Sequence, residues 1–400
     1  MTPGQSASRD ATISVRPTRQ RLLDIAAVFL KLGTTAFGGP AAHVAMMEHE
    51  LVRRRGWLTQ EDFLDRLGAA NVIPGPNSTE LAIHVGHARG GWPGLFVSGA
   101  CFIVPAALMV TAIAWAYVRY GQLPAFAAVL WGVKPVVLAV IAQALWSLTR
   151  TAVKSRWLAL VGSLALVATV AGVHELAVLA AAGVCCALAR AGTTRRVAGT
   201  LGLLGAAGFP GGLVGAGTAV AAPTPFALLP LFLVFAKIGA VLFGSGYVLL
   251  AFLRADLVVR LGWLTEAQLL DAIAVGQVTP GPVFTAATFV GYLLGGLPGA
   301  LVATLGIFLP AFVFVAISGP LVPRIRRSAV AGAALDGVNV ASLALMGAVS
   351  WQLGLASLTD PLAWTLAGLA GLALFRWPVN SAWLVLGGGL VGWATAWLRG

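Results

Sequence analysis

Pro74-Gly75-Pro76 ends one apolar run and Asn77-Ser78-Thr79-Glu80 begins the next, placing an amide, two hydroxyls and a carboxylate in the first turn of a helix. A helix start leaves backbone N–H groups without partners and carries the positive end of the helix dipole, which together favour an anion. Proline suits the first helical position, where its missing N–H is not needed. The chemistry on offer is the binding of a small tetrahedral oxyanion, stripped of water, by neutral donors. Another start of this kind follows Phe37-Gly38-Gly39-Pro40. Both return in the second half, as Phe243-Gly244-Ser245-Gly246 and Pro280-Gly281-Pro282, at an offset of 206 residues (Pro280 against Pro74).

Charged residues near these breaks have two readings each. Lys31 and Lys237 occupy equivalent places in short apolar runs, where a buried ammonium is costly without a counter-ion or water. They are either cationic ligands for a dianion or partners of Asp24 or another carboxylate. Lys134 lacks this duplication, since Asn339 stands at its partner position. Glu80 suits the helix dipole but repels a bound anion when ionised, so it is a candidate for proton coupling, with helix capping or contact with water as the alternative. His43 is a second proton-coupling candidate. His49, His84 and His87 complete the histidines of the first-half hairpins, without a His-Glu-x-x-His pattern or second-half counterparts; no metal and no cofactor is expected. In the second half Val283, Phe284 and Ala286 replace Asn77, Ser78 and Glu80, and Thr285 alone keeps the polarity of Thr79. An asymmetric site dominated by first-half side chains follows.

Composition sets the solvent for this chemistry. With 58% hydrophobic residues, 10% charged residues and a mean hydropathy of +0.89, the chain cannot hide its apolar surface in a water-soluble core. The formal charge of +12 lies in short clusters between apolar runs, as in the loops of membrane proteins, and nucleic acid is not an expected partner. Cys101, Cys185 and Cys186 show neither metal spacing nor a disulfide framework. No Walker loop and no G-x-S-x-G elbow is present, so an enzyme is not expected.

The elements that position the site are broken helices. Residues 1–21 read as a disordered cytoplasmic tail. Leu22 to Phe37 and Ala41 to Val52 flank one glycine-proline break; Phe63 to Ile73 and Asn77 to Ala88 flank the next. Helix, break, helix is the pattern of a re-entrant hairpin. Full spans follow at Gly94 to Val118 and Pro124 to Leu148, the latter interrupted at Lys134-Pro135, then shorter ones at Trp157 to Val173 and Glu175 to Ala189. The fold class is an all-α polytopic membrane protein with an internal repeat, its first copy at residues 22–190 and its second at 226–400. Phe29-Leu30-Lys31-Leu32-Gly33 returns as Phe235-Ala236-Lys237-Ile238-Gly239, and Gly56-Trp57-Leu58-Thr59 as Gly262-Trp263-Leu264-Thr265. One deletion changes the offset to 205 by Gly291, the partner of Gly86. With a cytoplasmic N-terminus and an inverting span within the 191–225 linker, Arg53 to Arg55, Arg150, Lys154, Arg156 and Arg376 all face inward, which makes the repeats inverted.

The two Phe-Gly-Gly-Pro and Pro-Gly-Pro-Asn-Ser-Thr-Glu motifs, with their degenerate second copies, closely resemble the chromate transporter family in its long, two-domain form. The resemblance implies a multi-pass bacterial inner-membrane protein that exports chromate and also handles the isosteric dianion sulfate. A homodimer is compatible with it. The alternatives are a transporter of sulfate or another small anion, and an intramembrane metalloenzyme built on the first-half histidines. The implied site is Lys31, Phe37, Gly38, Gly39, Pro40, Pro74, Gly75, Pro76, Asn77, Ser78 and Thr79, joined by Lys237, Gly244 and Thr285.

Overall fold

The structure is a computed structural model that describes residues 19–37, 39–121, 123–192, 226–243, 248–377 and 379–399. The expected tail and most of the linker therefore lie outside the described residues. What is described is helical. The first half comprises α1 (Arg19–Thr35), α2 (Gly39–Glu48), which winds into a π-helical turn (His49–Arg54), α3 (Gln60–Ala70), α4 (Asn77–Tyr120), α5 (Pro124–Ala152), α6 (Arg156–Val170) and α7 (Glu175–Arg190). The second comprises α8 (Leu228–Val241), α9 (Leu249–Leu253) with its own π-helical turn (Arg254–Arg260), α10 (Glu266–Val278), α11 (Ala286–Arg327), α12 (Ala329–Ser357), α13 (Pro361–Arg376) and α14 (Ser381–Arg399).

The repeated residues fold alike. In each Gly-Trp-Leu-Thr copy the glycine takes a positive φ, 59° at Gly56 and 63° at Gly262. The threonine then caps the next helix, Thr59 accepting from the Asp62 N–H and Thr265 from that of Gln268. α4 and α11 are each two helices joined at a glycine of nearly identical conformation, Gly91 (φ 59°, ψ −150°) and Gly296 (φ 59°, ψ −149°). The chain doubles back there. A side chain on Gly86 would collide with the backbone of Gly94, and one on Gly291 with that of Gly299, pairs that a straight helix would hold about 12 Å apart. Asn77 to Gly90 is thus a half-helix, and the remainder of α4 is the span.

Among the described residues five helices are long and apolar enough to cross a membrane: Asn77–Tyr120, Phe126–Ala152, Val283–Ser318, Ala329–Ser357 and Ser381–Leu398. α5 runs unbroken through Lys134-Pro135, where the sequence suggested an interruption. α6 and α7, read above as shorter spans, are 15 and 16 residues long. At 1.5 Å per residue each covers under ~25 Å, so crossing a ~30 Å core requires their flanking turns.

Packing interlocks the halves. α1 lies against α4 and α8 against α11, and α4 meets α11 at the centre. The outer helices are exchanged: α6 and α7 pack on α12 of the second half, while α13 and α14 pack on α5 of the first. At the breaks the exchange is reciprocal. The Gly75 N–H donates to the Leu242 carbonyl at 2.7 Å, and the Gly281 N–H donates to the Ala36 carbonyl at 2.9 Å. Gly281 is the repeat of Gly75, and Leu242 that of Ala36, so each half gives what it receives. Such exchange is the mark of a two-fold relation.

A second repeated feature pins each first hairpin at its polar end. Glu50 accepts from Lys31 Nζ at 3.0 Å, Arg54 Nη1 at 2.9 Å and Arg55 Nε at 2.8 Å. Its repeat Asp256 holds Lys237, with Nζ to Oδ1 at 2.6 Å, and Arg260 at 2.8 Å. Burial alone would raise the Glu50 carboxyl, but hydrogen bonds from Arg55, Arg54 and Lys31 outweigh it and hold the group at about 2.

Two outcomes are expected. Gly91 has open space where a Cβ would go, so its constraint is conformational, and Gly91→Ala should lower stability by about 1–3 kcal/mol. Gly332→Ala, in an equally open helical site, should leave it unchanged or raise it, and thermal melts in detergent compare the two. Because the Glu50 pKa is depressed, the stability its ion cluster contributes is present above the ordinary glutamate value and is lost only as pH falls through about 2. Glu50→Gln should therefore melt below the wild type by a similar margin at pH 8 and pH 5.

Candidate functional site

A cavity of about 1000 Å³ is lined by the C-terminal half of α5, the N-terminal half of α12 and residues of the helix breaks. Its mouth is ringed by Lys154, Asp336, Trp377 and Asn380, with Lys154 Nζ 2.8 Å from Asp336 Oδ1. Its walls carry Gln143, Ser147, Asn339 and Ser342. Phe37, Pro40, Asn77 and Phe243, at the helix breaks, line it too, so the same aromatic residue of both repeats is present there. With Lys154 paired, the lining is close to neutral and rich in amide and hydroxyl groups. Such a surface can bind an oxyanion through hydrogen bonds without holding it as tightly as a fixed cation would.

The sequence-expected residues divide around this cavity. Phe37, Pro40 and Asn77 line it. Gly39, with φ 78°, begins α2 beside them. Asn77 reaches Asn71 through its Nδ2, at 2.7 Å from Asn71 Oδ1, and its own Oδ1 has no partner. Thr79 and Glu80 N–H groups bond to the Pro76 carbonyl at 2.7 and 3.0 Å, so the donors left to the first turn are those of Asn77 and Ser78. Gly38 and Gly244 lie outside the described residues.

Behind Asn77 the remaining polar groups are sealed. Ser78, Thr79 and Glu80 are buried, and neither Glu80 oxygen has a hydrogen-bond partner. The carboxyl folds back beneath the break, so that a side chain on Gly75 would strike Glu80 Oε1. Pro74 and Pro76 flank that glycine and shape the turn. His43 joins the two hairpins: its Nε2 is 3.1 Å from the Ala36 carbonyl and its Nδ1 3.3 Å from Ser78 Oγ. A carbonyl only accepts, so in the neutral ring Nε2 carries the proton and Nδ1 accepts from the Ser78 hydroxyl. Thr285 is buried too, its hydroxyl donating to the Pro282 carbonyl at 2.7 Å.

Lys31 and Lys237 are absent from the cavity wall, and each is bound to a carboxylate of its own hairpin, Glu50 and Asp256. Both lysines thus have the carboxylate partner that one of the two sequence readings expected. Lys134 also has a carboxylate partner, Asp271 on α10 at 3.3 Å. Among the described residues no group of three or more His, Cys, Asp and Glu is placed to hold a metal ion.

Several lining residues were not anticipated. Phe243 was reachable, because it repeats Phe37. Asn71, Gln143, Asn339 and Ser342 carried no local signal; they line the cavity because the end of α3, α5 and α12 come together around it.

Comparison with known proteins adds the family. The profile described as chromate transporter matches this chain twice, over residues 23–187 and 229–393. A chromate transport protein of Cupriavidus metallidurans is 37% identical over 325 residues, covering 80% of each chain. A chromate transport protein of Pseudomonas aeruginosa is 32% identical over 405 residues, 97% of this chain and 96% of the relative. An uncharacterized transporter of Methanocaldococcus jannaschii is 25% identical over 348 residues, 83% of this chain and 84% of that one. No solved structure matches. Two profile matches that fall on the two structural halves, and relatives similar over nearly their whole length, place this chain in the chromate transporter family.

Proposed function

We propose that this protein carries chromate, a tetrahedral dianion, out of the cytoplasm of a bacterium across the inner membrane. The observation that carries the reading is the cavity of about 1000 Å³, on which the helix breaks of both repeats and the donor-bearing Asn77 converge. The naming of the Cupriavidus and Pseudomonas relatives as chromate transport proteins supports the choice of anion.

Direction follows from charge. Arg150, Lys154, Arg156 and Arg376 cluster near the mouth, and basic residues favour the cytoplasmic side. The mouth then faces the cytoplasm, the N-terminus lies on the same side, and the two-fold axis lies in the membrane plane, which makes the repeats at 22–190 and 226–400 inverted. An inside-negative potential favours a dianion outside by about 2.3 kcal/mol per charge per 100 mV, so outward movement needs no ATP. Glu80 is the proposed proton carrier. An isolated buried charge is very costly, whereas a carboxylic acid in the same place is not, and its position behind the Asn77 turn lets an arriving anion set its charge state. His43 is the proposed relay between hairpins. Neutral donors do not distinguish chromate from sulfate, which makes sulfate a second substrate.

The test is chromate accumulation in inverted membrane vesicles under an imposed potential. Asn77→Leu should lower kcat/KM roughly 10- to 100-fold, the worth of about 1.5–3 kcal/mol for a hydrogen bond to a charged group. Glu80→Gln should keep potential-driven uptake but lose its response to a pH gradient; a response equal to the wild type's would remove the proton role. Excess sulfate should compete. No uptake by a correctly inserted wild-type protein would mean a different substrate or direction.

A further inference from the structure

Several residues of the open cavity's wall have equivalents in the other half that are buried. Leu67 of α3 and Asn71, which follows it, line the cavity, while their repeats on α10, Ile273 and Gln277, are 2% and 3% exposed. Gln143 and Leu148 of α5 line it, while their repeats on α12, Ala348 and Leu353, are 4% and 0% exposed. Helix packing differs in the same sense. α10 rests on α5 and α14, whereas α3, its repeat, has no comparable packing on α12 or α7. At these four positions one half stands open and its counterpart is closed.

A cluster of three side chains ties the closed side. Lys134 Nζ on α5 lies 3.3 Å from Asp271 Oδ1 on α10, and the Tyr117 hydroxyl on α4 donates to Asp271 Oδ2 at 2.9 Å. Lys134 sits ten residues into α5, about 15 Å from its start and well away from the Lys154 end, where the cavity opens. Its repeat, Asn339, faces the open cavity and cannot form an ion pair. The Lys134–Asp271 separation exceeds the ~2.7–2.9 Å of a close charge-assisted hydrogen bond, and Asp271 Oδ1 has no hydrogen-bond partner. Desolvating both charges offsets much of their attraction, so water entering a widening vestibule can replace the pair at modest cost.

We propose that Lys134, Asp271 and Tyr117 form the gate of a second vestibule, the repeat-related counterpart of the open cavity, and that their parting opens the opposite face of the protein. Once parted from Asp271, Lys134 stands in that vestibule as the cation that meets a departing anion. The proposal rests on the transport reading for its role in a cycle, but the gate itself is a statement about two conformations.

The experiment places single cysteines at Gln143 and Ala348 in a chain whose Cys101, Cys185 and Cys186 are replaced by alanine. A membrane-impermeant maleimide is then applied to each face of oriented vesicles. Gln143→Cys should label from the face of the open cavity and Ala348→Cys close to background. Adding Lys134→Met should raise Ala348→Cys labelling from the opposite face roughly tenfold and lower that of Gln143→Cys, the reciprocal change of a shifted two-state equilibrium. Tyr117→Phe, which removes only a hydroxyl, should move both in the same directions by less. Labelling that rises at both positions, or changes at neither, would overturn the gate. No substrate is needed for labelling: reciprocal shifts in a protein without chromate flux would remove the transport reading and leave the gate, whereas unchanged labelling in a protein that transports chromate would remove the gate alone.

Discussion

Two backbone hydrogen bonds, from Gly75 to Leu242 and from Gly281 to Ala36, are the constraint on which the rest depends. In a membrane interior a helix break exposes amide groups that lipid cannot satisfy, at several kcal/mol each. Each half satisfies the break of the other, so neither hairpin pair reaches its native geometry alone. The same Ala36 carbonyl also accepts His43 Nε2, which is in turn linked to Ser78. The first turn of the Asn77 half-helix is therefore held in place by contacts that reach from both halves.

Symmetric backbones carrying unequal side chains explain why one cavity can be open and the other closed. Asn77 faces the passage where its repeat, Val283, is buried; Asn339 lines it where Lys134 pairs with Asp271. The duplicated frame repeats the same helices in both halves, and the divergent residues give each half its own surface chemistry. Two arrangements close in energy are what alternating exposure of a single site requires.

The ion clusters show how a polar residue in an apolar run can serve the frame instead of the ligand. Lys31 and Lys237 are duplicated as faithfully as the breaks, and a cation beside an anion site is an attractive reading. Their carboxylates, however, lie 19 residues on in both repeats, in π-helical turns that bring the hairpin arms together. Duplication preserved the pair, and only the closing of the hairpin brings its two members together. For Lys134 the partner lies on a different repeat, and nothing local marks it.

By itself the sequence determined the solvent, the helices, the breaks and the repeat. Apolar run length, glycine and proline at fixed points and a nearly constant offset are local or one-dimensional properties, and α2, α3, the Asn77 half-helix and both kinks follow from them. It also marked Phe37, Pro40 and Asn77, because a helix start announces its donors. Tertiary structure decided which of the marked residues face the passage. Ser78, Thr79 and Glu80 share a turn with Asn77 yet are buried, since successive helical residues point about 100° apart and only one direction meets the gap between α5 and α12. Asn71, Gln143 and Ser342 entered the cavity, and Lys134 met Asp271, through contacts between helices distant in the chain. No pattern along a single strand of sequence encodes where such helices part.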